Sequence, residues 1–139
     1  MTPHAAVLYG ASPGTLASAR ALAEAIFSTE SGPPPAARLD WLMDELDDFL
    51  GRVGARGRVL LLLSFFDVSW LAPLVAFRFR PLRSLPLAAR VDALERLERS
   101  RIAMPLLATK AILSVLYYEH PDAAREIGFD GACLTRGAP

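Results

Sequence analysis

The stretch whose reading decides the fold is VLLLLSFFDVSWLAPLVAF, residues 59–77. Nineteen consecutive, mostly apolar residues approach the length of a helix that crosses a bilayer. Asp67 lies in the middle, however, and an acid at mid-membrane costs about 2.5–3.5 kcal/mol even on insertion scales. Pro73, Ser64 and Ser69 weaken a span further. Arg52, Arg56 and Arg58 precede the stretch and Arg78, Arg80 and Arg83 follow it, so the charge bias sets no orientation. The reading is against a transmembrane helix. A helix hydrophobic all round is otherwise buried, in its own fold or against a partner. A chain of 139 residues has little left to cover it on every side, which points to a second protein.

Working outward, the periodicity is helical on both sides. Residues 15–27, TLASARALAEAIF, place Leu16, Ala19, Leu22, Ala23, Ile26 and Phe27 on one face. STESGPPPAA breaks that helix with glycine and three prolines. A second helix runs from about Arg38 to Val53, with the apolar stripe Leu39, Leu42, Leu46, Phe49, Leu50 and Val53. Asp44, Glu45, Asp47 and Asp48 form its acidic side, and GRVGARG ends it with glycines. The apolar segment follows, with a bend expected near Asp67 or Pro73. Ser84 reads as a cap, with Pro86 in the first turn of the next helix, where Leu87, Val91, Leu94 and Leu97 recur. Another helix spans about Arg101 to Tyr118, with Ile102, Leu106, Thr109, Leu113 and Leu116 on one side, and a short one runs from Pro121 to Ile127. No strand-like alternation and no repeat is present. The prediction is an all-α domain of five or six helices over residues 15–134, with a flexible arm at 1–14 and a tail at 135–139.

The formal net charge is zero, which gives no basic excess of the kind nucleic-acid binders carry. The hydrophobic fraction of 53% is high for a small domain. One cysteine, Cys133, excludes an internal disulfide and fits a reducing compartment. The first residues, MTPHAAVLYGASPGT, lack a signal-peptide pattern, so a cytoplasmic location is expected.

The residue types that do chemistry are sparse. His4 and His120 are far apart, and zinc would need further ligands at suitable spacing. Cys133 with His120 is a poor nucleophile pair. No glycine-rich loop joins a strand to a helix, so neither a dinucleotide fingerprint nor a phosphate loop is available. Asp44 and Asp48 read as a solvated helix face, and Arg78, Arg80 and Arg83 as a solvated loop or as ion-pair partners of that acidic face. What stands out is aromatic: Phe65, Phe66, Trp70, Phe77 and Phe79 in one segment, Tyr117, Tyr118 and Phe129 in another. A small domain cannot hide them all, and aromatics that reach a surface are frequent interface anchors.

The stretch LYYEHPDAAREIGFDG, residues 116–131, carries a resemblance. An arginine-rich amphipathic helix leads into an apolar one, followed by Tyr117, Tyr118, Pro121, Ile127, Gly128, Phe129, Asp130 and Gly131 in this order. The arrangement resembles the small helical module associated with FAD-dependent GMC (glucose–methanol–choline) oxidoreductases. That module occurs as a gluconate 2-dehydrogenase subunit 3-type small subunit or as an N-terminal extension of long-chain alcohol oxidases. The similarity runs from about Leu87 to Leu134, with a weaker echo in ALAEAIF at 21–27. It implies a non-catalytic accessory subunit that binds and stabilises a separate oxidoreductase, with FAD on the partner and no cofactor or metal here. The twin-arginine signal of exported small subunits is not visible in these residues, and the FAD-bearing partner is expected to be a separate polypeptide. The implied partner interface is Phe66, Trp70, Tyr117, Tyr118, Pro121, Phe129, Asp130 and Gly131. In the absence of a partner, a homo-oligomer is the expectation. The alternatives are a self-contained helical protein that binds a lipid or other apolar ligand beside 59–77, and, less favoured, a single-span membrane protein.

Overall fold

The computed structural model describes residues 12–129, and among them the chain is all-α, with six α-helices and one 3₁₀ turn. Helix α1 is Pro13–Ile26, α2 Ala36–Arg52, α3 Ala55–Val75, α4 Leu87–Glu98, α5 Met104–Tyr117 and α6 Pro121–Glu126, with the 3₁₀ turn at Leu82–Ser84 before α4. Helix α3 packs against α1, α4, α5 and the 3₁₀ turn, while α2 packs against α1 and α5. The core is almost wholly aliphatic: Leu22 from α1, Leu39, Leu42, Leu46 and Leu50 from α2, and Phe65, Val68 and Ala72 from α3. It is completed by Leu94 and Leu97 from α4 and Leu106, Leu113 and Leu116 from α5.

The ends of the helices show why the sequence boundaries shift. Helix α1 begins earlier than the periodicity indicates, because the Ser12 hydroxyl accepts from the Thr15 N–H and Pro13 occupies the first turn, a position where its missing N–H costs nothing. GRVGARG is mostly helix: Gly51 lies in the last turn of α2, Gly57 lies inside α3, and only the Val53–Gly54 step separates the two. Ser84 does not cap α4. Its hydroxyl donates to the Pro81 carbonyl within the 3₁₀ turn, and Pro86 takes the cap position instead. Helix α5 starts at Met104, so Ile102 is in the preceding turn and exposed rather than on the buried stripe. Thr109 is buried in α5, with its hydroxyl donating to the Pro105 carbonyl one turn back.

Two arginines tie the bundle together. Arg90 of α4 donates to the Ala21 carbonyl at 2.6 Å and to Glu24 at 3.0 Å, both on α1. Arg38, in the first turn of α2, reaches 88 residues along the chain to Glu126 of α6. Arg38 falls on the same face as Leu42 and Leu46, which is why it is buried.

Helices α3 and α6 end in the same way. After α6, Phe129 N–H donates to the Ala124 carbonyl and Gly128 N–H to Arg125, with Gly128 at φ 83°. After α3, Arg78 N–H donates to the Pro73 carbonyl at 2.8 Å and Phe77 N–H to Leu74, with Phe77 at φ 58°. Both are six-to-one terminations that need one left-handed residue, a place normally held by glycine. Phenylalanine there is strained, at a cost on the order of 1 kcal/mol, and its ring is 83% exposed, so no packing offsets the strain. Replacing Phe77→Gly is therefore expected to raise unfolding stability by up to about 1 kcal/mol, and Gly128→Ala to lower it by about the same amount. Urea melts of the two variants check this, and a destabilised Phe77→Gly protein would mean that the ring supports the fold.

Candidate docking surfaces

Helix α3 has two apolar sides with different fates. Phe65, Val68 and Ala72 face the core, whereas Val59, Leu63, Phe66, Trp70 and Leu74 recur at spacings of three and four and are all exposed, as is Phe77 just past the helix end. At a rise of 1.5 Å per residue the helical part of that row, Val59 to Leu74, is about 22 Å long. Leu60 widens it at one end, and Phe79, 84% exposed, extends it at the other. The loop beyond alternates aromatic and cation: Phe77, Arg78, Phe79, Arg80. Arg80 donates to the Ser84 carbonyl. Of the two readings of Arg78, Arg80 and Arg83, the solvated loop fits, since all three are exposed and none pairs with the acidic side of α2 among the described residues. Phe66 and Trp70 also edge a cavity of about 330 Å³ that Ser12, Thr15, Ser18 and Arg83 line from the opposite side.

A second apolar row lies on α5 and continues towards α6. Met104, Leu107, Val115 and Tyr118 are exposed along α5 and the residue that ends it, and Ile127 and Phe129 are exposed where α6 ends. Helix α6 is held by its own punctuation. His120 is the cap residue, its Nδ1 accepting from the Asp122 N–H at 3.2 Å. Its ring stands edge-on to Trp41 at 4.8 Å. Pro121 opens the first turn, and Arg125 pairs with Asp122. His120 is thus part of the helix start and of a ring contact with α2.

Of the residues the sequence assigns to a docking edge, Phe66, Trp70, Tyr118, Pro121 and Phe129 are exposed, and Asp130 and Gly131 lie outside the described residues, as do His4 and Cys133. Tyr117 is a correction. It is only 4% exposed, stacked face to face on Phe27 at 3.9 Å with 6° between the planes. Its hydroxyl accepts from Arg38 at 3.0 Å. The α5 periodicity points Tyr117 inward with Leu113 and leaves Tyr118, its edge against Tyr117 and Phe27, to face solvent.

Behind Tyr117 is an ion pair that sequence reading passes over. Arg38 is 8% exposed on its side chain and grips Glu126 with two parallel hydrogen bonds, both 2.9 Å. Such forked pairs are the stronger kind. Glu126 is 61% exposed, so the pair has one buried and one solvated member. The hydrogen bonds that Arg38 donates to Glu126 and Tyr117 hold its guanidinium charged despite burial. In turn, the bonds from Arg38 lower the Glu126 carboxyl below its ordinary value. The available signal was an arginine on the apolar stripe of α2, which demands an acid elsewhere in the chain.

Among the described residues no three His, Cys, Asp or Glu side chains converge as metal ligands would. No family model, no curated protein and no solved structure matches the chain.

The Glu126 carboxyl is depressed in the folded protein, so the stability it contributes is complete above its unfolded value, about 4.5, and is lost as pH falls through the folded value. The difference in urea midpoint between wild type and Glu126→Gln should therefore be present at pH 7 and shrink below about pH 4.5. A difference independent of pH would show that the carboxylate charge plays no part. Tyr117→Phe, which removes one hydrogen bond and keeps the stacked ring, is expected to cost about 1 kcal/mol at neutral pH.

Proposed function

We propose that this chain is a non-catalytic accessory subunit that binds and stabilises a separate FAD-dependent GMC-type oxidoreductase in the cytoplasm. The observation that carries the reading is the exposed apolar row from Met104 through Tyr118 to Phe129. It coincides with the segment, Leu87 to Leu134, where the sequence resembles the helical module of those enzymes. His120, Arg38 and Glu126 are engaged in capping and in tying helices together, which supports a role for α6 in contact rather than in chemistry. Flavin and substrate would belong to the partner. Covering an apolar patch with aromatic anchors supplies binding energy through area removed from water, and the partner gains stability by mass action.

In this reading α6 presents the contact. The cap at His120 and the termination at Gly128 fix a short helix whose end brings Ile127 to the same hollow as Tyr118 and leaves Phe129 exposed. Pro121 fixes the entry, and Tyr117 with Arg38 holds the whole element against α2 from behind.

The test is an affinity purification from the native host in mild detergent, with mass spectrometry and a flavin absorbance scan. A yellow companion of GMC size in stoichiometric amount is the expected result. A colourless protein without such a companion contradicts the proposal. Tyr118→Ala combined with Phe129→Ala is expected to weaken that association at least tenfold, about 1.4 kcal/mol, with far-UV helicity nearly unchanged. Loss of helicity in the double variant would assign these rings to the core.

A further inference from the structure

We propose that the outward face of α3 and the Phe77–Arg80 tip rest on an anionic membrane surface, with the helix in the plane of the interface. This surface is separate from the α5–α6 row, and the inference does not depend on the oxidoreductase reading.

Charge is the first argument. The chain is neutral overall, yet residues 52–83 hold six arginines and one acid, while the rest of the chain holds nine bases and fourteen acids. The long exposed apolar row therefore lies within the one strongly basic part of the molecule. Arg56 is exposed at one end of the row, and Arg78, Arg80 and Arg83 are exposed at the other. None of these four forms an ion pair among the described residues. The acid, Asp67, is half-buried and sits one helical turn from Leu63 and from Trp70, at the edge of the row, where the six arginines outnumber it. Apolar side chains with arginines at both ends suit a helix lying at the acyl–headgroup boundary, where the stems follow the apolar layer and the guanidinium groups reach lipid phosphates.

The tip is the second argument. Phe77 and Phe79 are the most exposed large apolar side chains among the described residues. Phe77 holds its place in a left-handed conformation that glycine would adopt without strain. A strained residue whose ring touches little in the fold points to a use outside it. Two rings separated by one arginine and followed by another form a wedge, which enters a fluid interface without a shaped counterpart, whereas protein anchors are received in pockets.

The geometry favours lying on the membrane over crossing it. Helix α3 is long and apolar enough to span, but its other face carries Phe65, Val68 and Ala72 in the core. A span would strip that face from α1, α4 and α5. In-plane contact uses the face already open, and the bundle takes the place of the polar side that an interfacial helix otherwise needs.

The experiment uses the full chain with Trp41→Phe, which leaves Trp70 as the sole tryptophan, mixed with vesicles of phosphatidylcholine alone or with phosphatidylglycerol added. Co-sedimentation with the anionic vesicles at low salt, reduced by added salt, is expected, with a blue shift of Trp70 emission. Arg78→Glu with Arg80→Glu should weaken binding roughly tenfold or more. Phe77→Gly with Phe79→Ser should lose the blue shift while the helix signal in far-UV dichroism stays the same. Indifference to both vesicle types, or equal binding by the charge-reversed variant, overturns the proposal. Trp70 already shielded from acrylamide in the lipid-free protein also overturns it, in favour of a second copy if the protein is dimeric or of a co-purified acidic protein if one is present.

Discussion

A helix that is apolar around its whole circumference cannot be covered on every side by the helices of so small a chain. Helix α3 is that helix, and the rest of the bundle is arranged by it. Helices α1, α4 and α5 and the 3₁₀ turn close over one side, and burying Phe65, Val68 and Ala72 there contributes several kcal/mol of transfer free energy. Helix α2 is then left to pack on α1 and α5. The opposite side of α3, from Val59 to Phe77, remains at the surface. Exposed apolar side chains that line up along one helix face in this way mark a surface that meets something.

The aliphatic core has little directional content, since leucine against leucine fixes volume better than orientation. Orientation comes from two arginine contacts that join distant parts of the sequence. Arg90 fastens α4 to a carbonyl and a carboxylate of α1, and Arg38 fastens α2 to Tyr117 and Glu126. The second contact matters for function because it docks α6, whose own cap and termination define a helix too short to be stable without packing. The rings of Phe27 and Tyr117 close the gap between α1 and α5 beneath it. The exposed positions Tyr118 and Phe129 are thus presented from a fixed support.

Much of this was legible in the sequence, for reasons that are physical. Helical periodicity marked Leu22, Leu42, Leu46, Leu94 and Leu113 as inward, because a helix needs only local spacing to be recognised. The absence of alternation excluded a sheet for the same reason. Boundaries were less legible, since competing signals such as Ser12–Pro13 and Ser84–Pro86 differ only in which oxygen finds which N–H. What the sequence concealed was long-range. Tyr117 and Tyr118 are neighbours with opposite fates, decided by where Phe27 and Arg38 arrive. Glu126 gains its role from an arginine on the far side of the chain. Phe77 reveals itself only through its backbone angle, which no residue pattern announces.

The central claim is that α3 has one face in the core and the other open. It is tested most directly by single cysteines placed along the helix in a Cys133→Ser background, with maleimide labelling rates measured in the native protein. Positions 63, 66, 70 and 74 should label at rates close to those of the unfolded chain, and positions 65, 68 and 72 should be slowed by orders of magnitude. Equal rates around the helix, fast or slow, would contradict the account, because α3 would then be either undocked or covered on all sides.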